Sequence, residues 1–320
     1  MTNSRQIPLT GINGASPLGF LAALGAFRVA QEVHTARIAL SWTPAGGAWR
    51  PVLHTPNETT PESLVDGLDK YLRAQTDSPA FTVAKNIKMP VAVFRRHATS
   101  AIEHWLSGDN AAWAAFVAAF SSSTPLDEAN WTEDTAFRFV RIFKNETDKN
   151  GRPEKKPGFL DMVRAVTKNT TVENLREALF GPWKFQDDEF SLRWDPEDDR
   201  RYAFRWSDPA KDKSGIVRGA NRLAIEGLPF FPTIPTCSQL ATTGFVGKRS
   251  TDTFWTWPIW GVPIGIDVCR SLLASSELAD RNFELASLAP TGVVAVFRSQ
   301  RINPNDGKFR NFTPATPVGT

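Results

Sequence analysis

The chain is poor in cysteine, tyrosine and histidine. Its 320 residues include two cysteines, two tyrosines and four histidines. Cys237 and Cys269 stand 32 positions apart without a CxxC pair, which argues against a disulfide scaffold and a four-ligand zinc site. The histidines show no HxxxH or HxH spacing, so we expect structural roles for them and no metal or cofactor. This cysteine usage fits a reducing cytoplasm.

Long apolar runs and the common catalytic motifs are also missing. Residues 1–10 lack the charged start and apolar run of a secretory signal, and Arg28 with several small residues interrupts the next apolar stretch. We therefore expect no transmembrane segment. The sequence contains no P-loop, GxSxG, HExxH or EF-hand loop. These absences favour a non-catalytic role over an enzyme.

Neither sign of charge is in large excess. The formal net charge is +3 and the sequence pI is about 8.9, which is mildly basic. Any affinity for nucleic acid must then come from local basic patches, because the overall field of the protein is weak.

The composition that is present is typical of a folded globular protein, with 41% hydrophobic and 22% charged residues. Helical periodicities alternate with short β-branched and aromatic runs, which predicts an α+β fold of mixed helices and mainly antiparallel sheet. We expect an N-terminal α+β domain over 1–143 and a C-terminal α+β domain over 159–320. Segment 144–158 is polar and rich in glycine and proline, and is predicted to be a mobile loop or linker. A single domain is the alternative.

The region 11–32 carries the clearest local signals. Ser16 followed by proline predicts the start of a helix that runs to about Glu32. The loop before it, 11–15, has two glycines close to this helix N-terminus, an arrangement that binds anions well. A plain strand-to-helix turn is the favoured alternative for this loop.

Several further elements are predicted from caps and periodicity. Asp109 is expected to cap an alanine-rich helix that ends at Phe120, and the pattern from Thr170 to Glu173 matches a capping box. Strands are expected over 190–194 and 201–206, a helix over 220–227, a strand over 253–257, a helix over 267–278 and a strand over 291–297.

Basic residues recur in loops and near the end of the chain, among many tryptophans and phenylalanines. Each pair alone is typical of a solvated surface, but together they allow phosphate contacts and stacking on bases. The amides of two asparagines are candidates for base-edge or minor-groove contact. The predicted DNA-binding residues are Asn13, Lys85, Asn86, Lys88, Arg152, Lys155, Lys156, Lys248, Arg249, Arg298, Arg301, Lys308 and Arg310.

The segment 194–202 combines acids and arginines. Asp195, Asp198 and Asp199, with Glu197, are of the type that holds a divalent cation in a nuclease. A charge-balanced hairpin is the favoured alternative, because Pro196 marks a turn and Arg200 and Arg201 directly follow the acids. Together with the following apolar helix, this segment predicts a docking surface, a partner or structural interface formed by Arg200, Arg201, Arg218, Asn221 and Arg222.

Three stretches carry a resemblance to a known family. They are 9–25 (LTGINGASPLGFLAALG), 194–203 (WDPEDDRRYA) and 219–224 (GANRLA). The chain resembles the type I-G, formerly I-U, CRISPR-associated proteins, within them the short large-subunit-like family of Cascade effector complexes. The resemblance implies a subunit of a ribonucleoprotein complex for antiviral defence, with CRISPR backbone subunits, guide RNA, target double-stranded DNA and a helicase-nuclease as partners. In such complexes base pairing reads the target sequence, while protein reads a short flanking motif (PAM recognition).

Three functions remain open on the sequence. The first is a non-catalytic subunit that contacts target DNA and its flanking motif and helps recruit the helicase-nuclease. The second is a metal-dependent nuclease that uses the Asp195–Asp199 acids. The third is a protein scaffold without nucleic-acid contact.

Overall fold

A computed structural model describes residues 4–124, 130–140, 157–188, 191–196, 215–236, 239–247, 252–280, 282–302 and 310–319. Its helices are α1 (Pro17–Val33), α2 (Pro61–Ala74), α3 (Pro79–Thr82), α4 (Val91–Leu106), α5 (Ala112–Phe120), α6 (Phe159–Asn169), α7 (Val172–Phe180), α8 (Arg218–Gly227), α9 (Ile266–Leu273), α10 (Ser276–Ala279) and α11 (Leu285–Leu288). Its strands are β1 (Ser4–Pro8), β2 (Ala39–Ala45), β3 (Ala48–Pro56), β4 (Ser121–Ser122), β5 (Glu133–Asp134), β6 (Thr233–Pro235), β7 (Leu240–Thr242), β8 (Phe245–Val246), β9 (Thr253–Trp260), β10 (Val293–Ile302), β11 (Asn311–Phe312) and β12 (Thr316–Pro317).

Two antiparallel sheets organise these elements. The first has the order β1-β3-β2, and the second has the order β11-β10-β9-β8, with β12 also pairing with β10. Leu40 of β2 and Ile264 exchange two backbone hydrogen bonds of 3.0 Å, which join the first sheet to the segment between β9 and α9. The predicted α+β class with mainly antiparallel pairing is confirmed. In the described ranges, no helix is both long and apolar enough to cross a membrane.

Most of the predicted helices and strands are present, but several caps and ends differ. Ser16 caps α1 as predicted. The cap of α7 is Thr171, paired reciprocally with Asn174, one residue later than predicted. Asp109 does not cap α5, because its carboxylate accepts a hydrogen bond from Ser107 and the side chain of Asn110 holds the first turn instead. The helix predicted over 267–278 breaks into α9 and α10, residues 191–194 form no strand, and 201–206 lie outside the described residues.

Helices α1 and α8 pack unusually closely because glycines face each other across their contact. A Cβ added at Gly25 would overlap the carbonyl oxygen of Leu223, and one added at Gly227 would overlap the carbonyl oxygen of Leu21. Only glycine leaves room for backbones to approach this far. Both helices are buried nearly throughout.

An ion triad of Arg28, Glu226 and Arg222 lies inside this helix contact. Arg28 pairs with the Glu226 carboxylate and also donates from Nε to the Glu226 backbone carbonyl at 2.8 Å. Arg222 reaches the same carboxylate at 2.6 Å, one turn earlier on α8. The side-chain exposures of the three residues are 4% or less, so one buried carboxylate serves two buried guanidiniums. Burial, followed by the charge of Arg28, lowers the pKa of Arg222 to about 9.

An aromatic cluster joins the N-terminal region to the second sheet. Phe20 of α1 packs against Trp42, Trp255 and Trp257, with ring centroids 5.5 to 5.9 Å apart. The Trp257 indole donates to the Gly14 carbonyl at 2.8 Å, so its polar group is satisfied inside the core. The main hydrophobic core contains residues from both sides of segment 144–158. Residues 144–156 of the predicted linker lie outside the described residues, and the domain boundary stays a prediction.

The helix glycines provide a test of the α1–α8 contact. We expect Gly25→Ala to lower the free energy of unfolding by about 1–3 kcal/mol, because the added methyl group forces the helices apart. Gly67→Ala is the matched control: it also lies within a helix, but its Cβ would meet only the end of the partly exposed Val33 side chain. It should be neutral or stabilising by up to about 1 kcal/mol. Urea unfolding measures both, and equal effects would contradict the packing argument.

His97 gives the fold a dependence on pH. Its ring Nε2 is 3.2 Å from the Trp113 indole nitrogen, which is a donor only, so His97 accepts this bond in its neutral form. Burial lowers the pKa of His97 below 6.5. The folded state therefore binds fewer protons, and we expect the free energy of unfolding to fall as pH drops from about 6.5 toward the lower folded pKa.

The same prediction has a control variant. His97→Gln keeps an acceptor but cannot titrate, so it should flatten part of the pH profile of stability. His54, whose pKa burial also lowers, would account for a remaining slope. Urea unfolding between about pH 7 and pH 5 measures the profile. If His97→Gln leaves the pH dependence of stability unchanged, His97 does not contribute to it.

Candidate nucleic-acid interface

The glycine loop before α1 is used inside the fold. The Gly11 amide donates to the Leu179 carbonyl at 2.9 Å, and the Gly14 amide donates to the Trp49 carbonyl at 2.8 Å. These two amides are therefore not open to an anion, which favours the turn interpretation of the loop. A Cβ at Gly11 would press on the backbone at the end of α7, so this glycine serves close packing.

Asn13 stabilises the same turn. Its side-chain oxygen accepts a hydrogen bond from the Ala15 amide at 3.1 Å, and its backbone carbonyl lies directly against Gly19 of α1. The residue is half-buried. Contact between Asn13 and DNA stays a prediction, but its side-chain oxygen already has a partner within the turn.

The predicted basic loop 85–88 divides into interior and surface residues. Asn86 is 7% exposed, and its side-chain oxygen accepts from the Phe159 amide at 2.9 Å, which satisfies the start of α6. Lys88 pairs with Glu133 at 3.2 Å, while Lys85 is exposed. The side-chain oxygen of Asn86 therefore already has a hydrogen-bond partner inside the fold.

The predicted docking residues on α8 face inward. Asn221 and Arg222 are 3% and 0% exposed, so they form no docking surface; Asn221 donates to the Val217 carbonyl and Arg222 belongs to the ion triad. Arg218 is half-buried and pairs with Asp187 at 3.3 Å, tying α8 to the segment after α7. The arginines of this helix form ion pairs within the protein. This corresponds to the structural interface in the prediction and not to the partner interface.

Of the predicted acidic cluster Asp195–Asp199, the structure describes Asp195 but not the other acids. Asp195 is buried, and among the described residues no group of three or more His, Cys, Asp or Glu side chains could hold a metal ion. The predicted residues that lie outside the described ranges are Arg152, Lys155, Lys156, Glu197, Asp198, Asp199, Arg200, Arg201, Lys248, Arg249 and Lys308.

Strand β10 carries two of the predicted arginines, and they have different surroundings. Arg298 donates to the Thr256 hydroxyl at 3.0 Å and to the Asp280 carbonyl at 2.9 Å. Arg301 lies over the Phe139 ring at 5.4 Å and donates to the Arg138 carbonyl at 3.2 Å. Arg298 thus holds the segment after α10, while Arg301 belongs to a second group of arginines.

We call this group the arginine cluster and define it as Arg138, Arg193, Arg301 and Arg310. Arg138 forms a two-pronged pair with Asp134, at 2.5 and 3.2 Å. Burial, then Arg310 and Arg138, lower the pKa of Arg301 to about 9. Burial and Arg138 likewise lower the pKa of Arg310. Since arginine stays charged in practice, these shifts describe guanidiniums that are buried and lie close to one another.

Arg193 belongs to the same place for a different reason. Its guanidinium donates to the Asn311 side chain at 3.1 Å, next to Arg310 in the chain. Its backbone has φ +64°, a left-handed conformation that is unfavourable for a residue with a side chain. Strain of this kind persists where the surrounding structure fixes it, often at functional sites. This conformation accompanies the contact of the Arg193 guanidinium with Asn311, which directly follows Arg310 in the chain.

Two basic segments are joined to the chain at this cluster. Segment 141–156, with Arg152, Lys155 and Lys156, follows the described residues 130–140, which include Arg138, and segment 303–309, with Lys308, connects β10 to Arg310. Both lie outside the described residues.

Sequence reasoning missed Arg138 and Arg193. A signal for Arg138 was present, because it alternates with phenylalanine in 137–139 on a segment that ends in another arginine. Arg193 offered no signal, since its placement depends on a left-handed turn and on contact with a residue 118 positions away.

No family model matches this chain, and no curated protein matches it either. The function must therefore be argued from the chain's own residues.

The arginine cluster gives a testable stability effect. We expect Arg301→Met to change the free energy of unfolding by less than about 1 kcal/mol, because relief of charge crowding offsets the lost contact with Phe139. Asp134→Asn is the counter-test: it removes the carboxylate that pairs with Arg138 and should destabilise by about 3 kcal/mol. Urea unfolding at neutral pH compares them, and a large loss in Arg301→Met would show that its charge is needed by the fold.

Proposed function

We propose that the chain is a non-catalytic, cytoplasmic subunit of a type I CRISPR RNA-guided surveillance complex. In this role it contacts target DNA and its flanking motif and helps to recruit the helicase-nuclease. Backbone subunits and guide RNA are its other partners. The resemblance of 9–25, 194–203 and 219–224 suggests the complex, and the arginine cluster suggests where the nucleic acid is held.

The crowding of guanidiniums in the arginine cluster is the observation that carries the proposal. Arg138 and Arg310 lie close enough to Arg301 to lower its pKa, after the larger effect of burial, so a phosphate at the cluster would meet several guanidiniums beside the carboxylate of Asp134. Phosphate contacts of this kind supply most sequence-independent affinity for nucleic acid. Aromatic residues such as Phe139 hold the guanidiniums in place.

The residues of the family resemblance fit a supporting role. In the stretch 9–25, glycine and alanine side chains permit the close α1–α8 contact, and in 219–224 the polar residues serve interior bonds. These motifs therefore build the core on which the arginine cluster is mounted. They offer no exposed nucleophile or acid–base pair in the described residues, which favours a binding role.

The proposal is tested in the assembled complex. The tagged chain is copurified with the products of its neighbouring genes, and the assembly is titrated with guide-matched duplex DNA, with and without this subunit. We expect the chain to enter a ribonucleoprotein and target binding to collapse in its absence. Binding that persists without it would indicate a scaffold, and magnesium-dependent cleavage by the isolated chain would indicate the nuclease alternative.

Salt dependence distinguishes a phosphate contact from a structural one. In the assembly, the double variant Arg301→Gln/Arg310→Gln should lower the slope of log affinity against log salt by about 1 to 2, because roughly one unit is lost for each phosphate contact removed. Arg73→Gln, which removes an exposed arginine paired with Asp69 on α2, is the matched control and should leave the slope unchanged. Equal slopes for the double variant and the native chain would exclude phosphate contact at the cluster.

A further inference from the structure

A cavity of about 680 Å³ is lined by Arg28 of the ion triad. Its walls are the second half of α1, the start of β2 and the first turn of α9. The cavity has the size of a small-molecule site. It is separate from the arginine cluster, because none of its lining residues belongs to that cluster.

Three arginines line this cavity. Arg28 is 3% exposed and forms part of the closed end, while Arg37 and Arg270 are exposed at its mouth. Arg270 also lies over the Phe230 ring at 5.8 Å, which limits the positions of its side chain. Planar guanidiniums that converge from an inner and an outer wall match the several oxygens of a phosphate group.

The inner wall carries excess positive charge. Arg28 shares the single carboxylate of Glu226 with Arg222, so the buried triad has two positive charges and one negative charge. In a low-dielectric interior a net charge of this kind is unfavourable unless a further anion lies nearby. An anion in the cavity would sit next to Arg28 and supply that charge.

The first turn of α9 adds a second source of attraction. Gly265 is its N-cap and provides no side-chain hydrogen bond to the exposed amides of that turn. A Cβ added at Gly265 would meet no atom within 4 Å, so the space in front of these amides is open. Helix amides and the positive end of the helix dipole favour a phosphate at this point.

Two acids also line the cavity. Asp267 forms an ion pair of 3.4 Å with the lining Arg270, and its side chain is 96% exposed. Glu32 accepts a hydrogen bond from the Asn110 side chain at 3.5 Å. With the triad included, four arginines face three acids, and the region stays positive.

From these features we infer that the cavity between α1, β2 and α9 binds a nucleotide phosphate. The phosphate lies between Arg28, Arg37, Arg270 and the amides of α9, and the flat nucleoside packs on the apolar wall of Ile38, Ile266 and Val268. The nucleotide is either free or the terminal residue of a nucleic acid strand, since both present the same chemistry. This site does not depend on the proposed role in a CRISPR complex.

Calorimetric titration of the full chain tests the inference. The probes are AMP, adenosine, and a short oligonucleotide with either a 5′-phosphate or a 5′-hydroxyl group. We expect at least one phosphorylated probe to bind about tenfold or more tightly than its unphosphorylated partner, as one or two charge-assisted hydrogen bonds would give. Preference for AMP identifies a free nucleotide, and preference for the 5′-phosphorylated strand identifies a strand end. If neither phosphorylated probe is preferred, the inference is wrong.

Variants separate the cavity from general charge effects. Arg37→Gln and Arg270→Gln, both exposed positions, should each weaken binding of the preferred probe by about fivefold or more. Arg73→Gln and Arg301→Gln should leave it unchanged, because neither residue lines the cavity. Equal weakening by all four variants would show nonspecific attraction and overturn the site.

Gly265→Asp separates loss of binding from loss of folding. An aspartate at an N-cap accepts bonds from the helix amides, so it should occupy the phosphate position while keeping or raising the Tm. We expect phosphate-dependent binding to disappear in this variant without any fall in Tm. Full binding by Gly265→Asp would show that the phosphate does not lie at the α9 terminus, which overturns the site.

Discussion

The close contact between α1 and α8 is the constraint on which the rest of the structure depends. Gly25 and Gly227 let two backbones approach so far that no other residue type fits at either position. The same approach brings Arg28 to the carboxylate of Glu226, where a looser contact would leave both charges buried and unpaired. The glycines fix the separation of this helix pair, and the aromatic cluster packs against α1.

Excess positive charge occurs at two places in the described residues, and the two differ in depth. At the ion triad, two arginines share one carboxylate in the interior, and the imbalance lies beside a cavity. At the arginine cluster, the imbalance lies at the end of β10, where two basic segments of the sequence are attached. In both cases the protein tolerates like charges at short range, which is reasonable where an anion completes the site.

The sequence predicts the local structure well, but the surroundings of single side chains depend on contacts that are distant in the chain. Helix α1 follows from Ser16 and the proline after it, because caps and periodicity act over a few residues. Asn86 resembles a surface amide among lysines, yet it satisfies a helix start 73 positions away. Arg222 and Glu226 have the spacing of an exposed helix pair, but tertiary packing buries both. Arg138 meets Arg301 only through sheet and turn geometry that no local pattern encodes.

The contacts that define the core join residues far apart in the chain, and this has a consequence for synthesis. Arg28 and Glu226 are 198 positions apart, and the Trp257 bond to Gly14 spans 243. The glycine face of α1 and its arginine meet their partners on α8 only after the chain between the two helices has been synthesised. Before that, α1 can pack against neighbours in the first part of the chain, such as Trp42. Because a long loop must close before the two helices meet, we expect the α1–α8 contact to form late in folding.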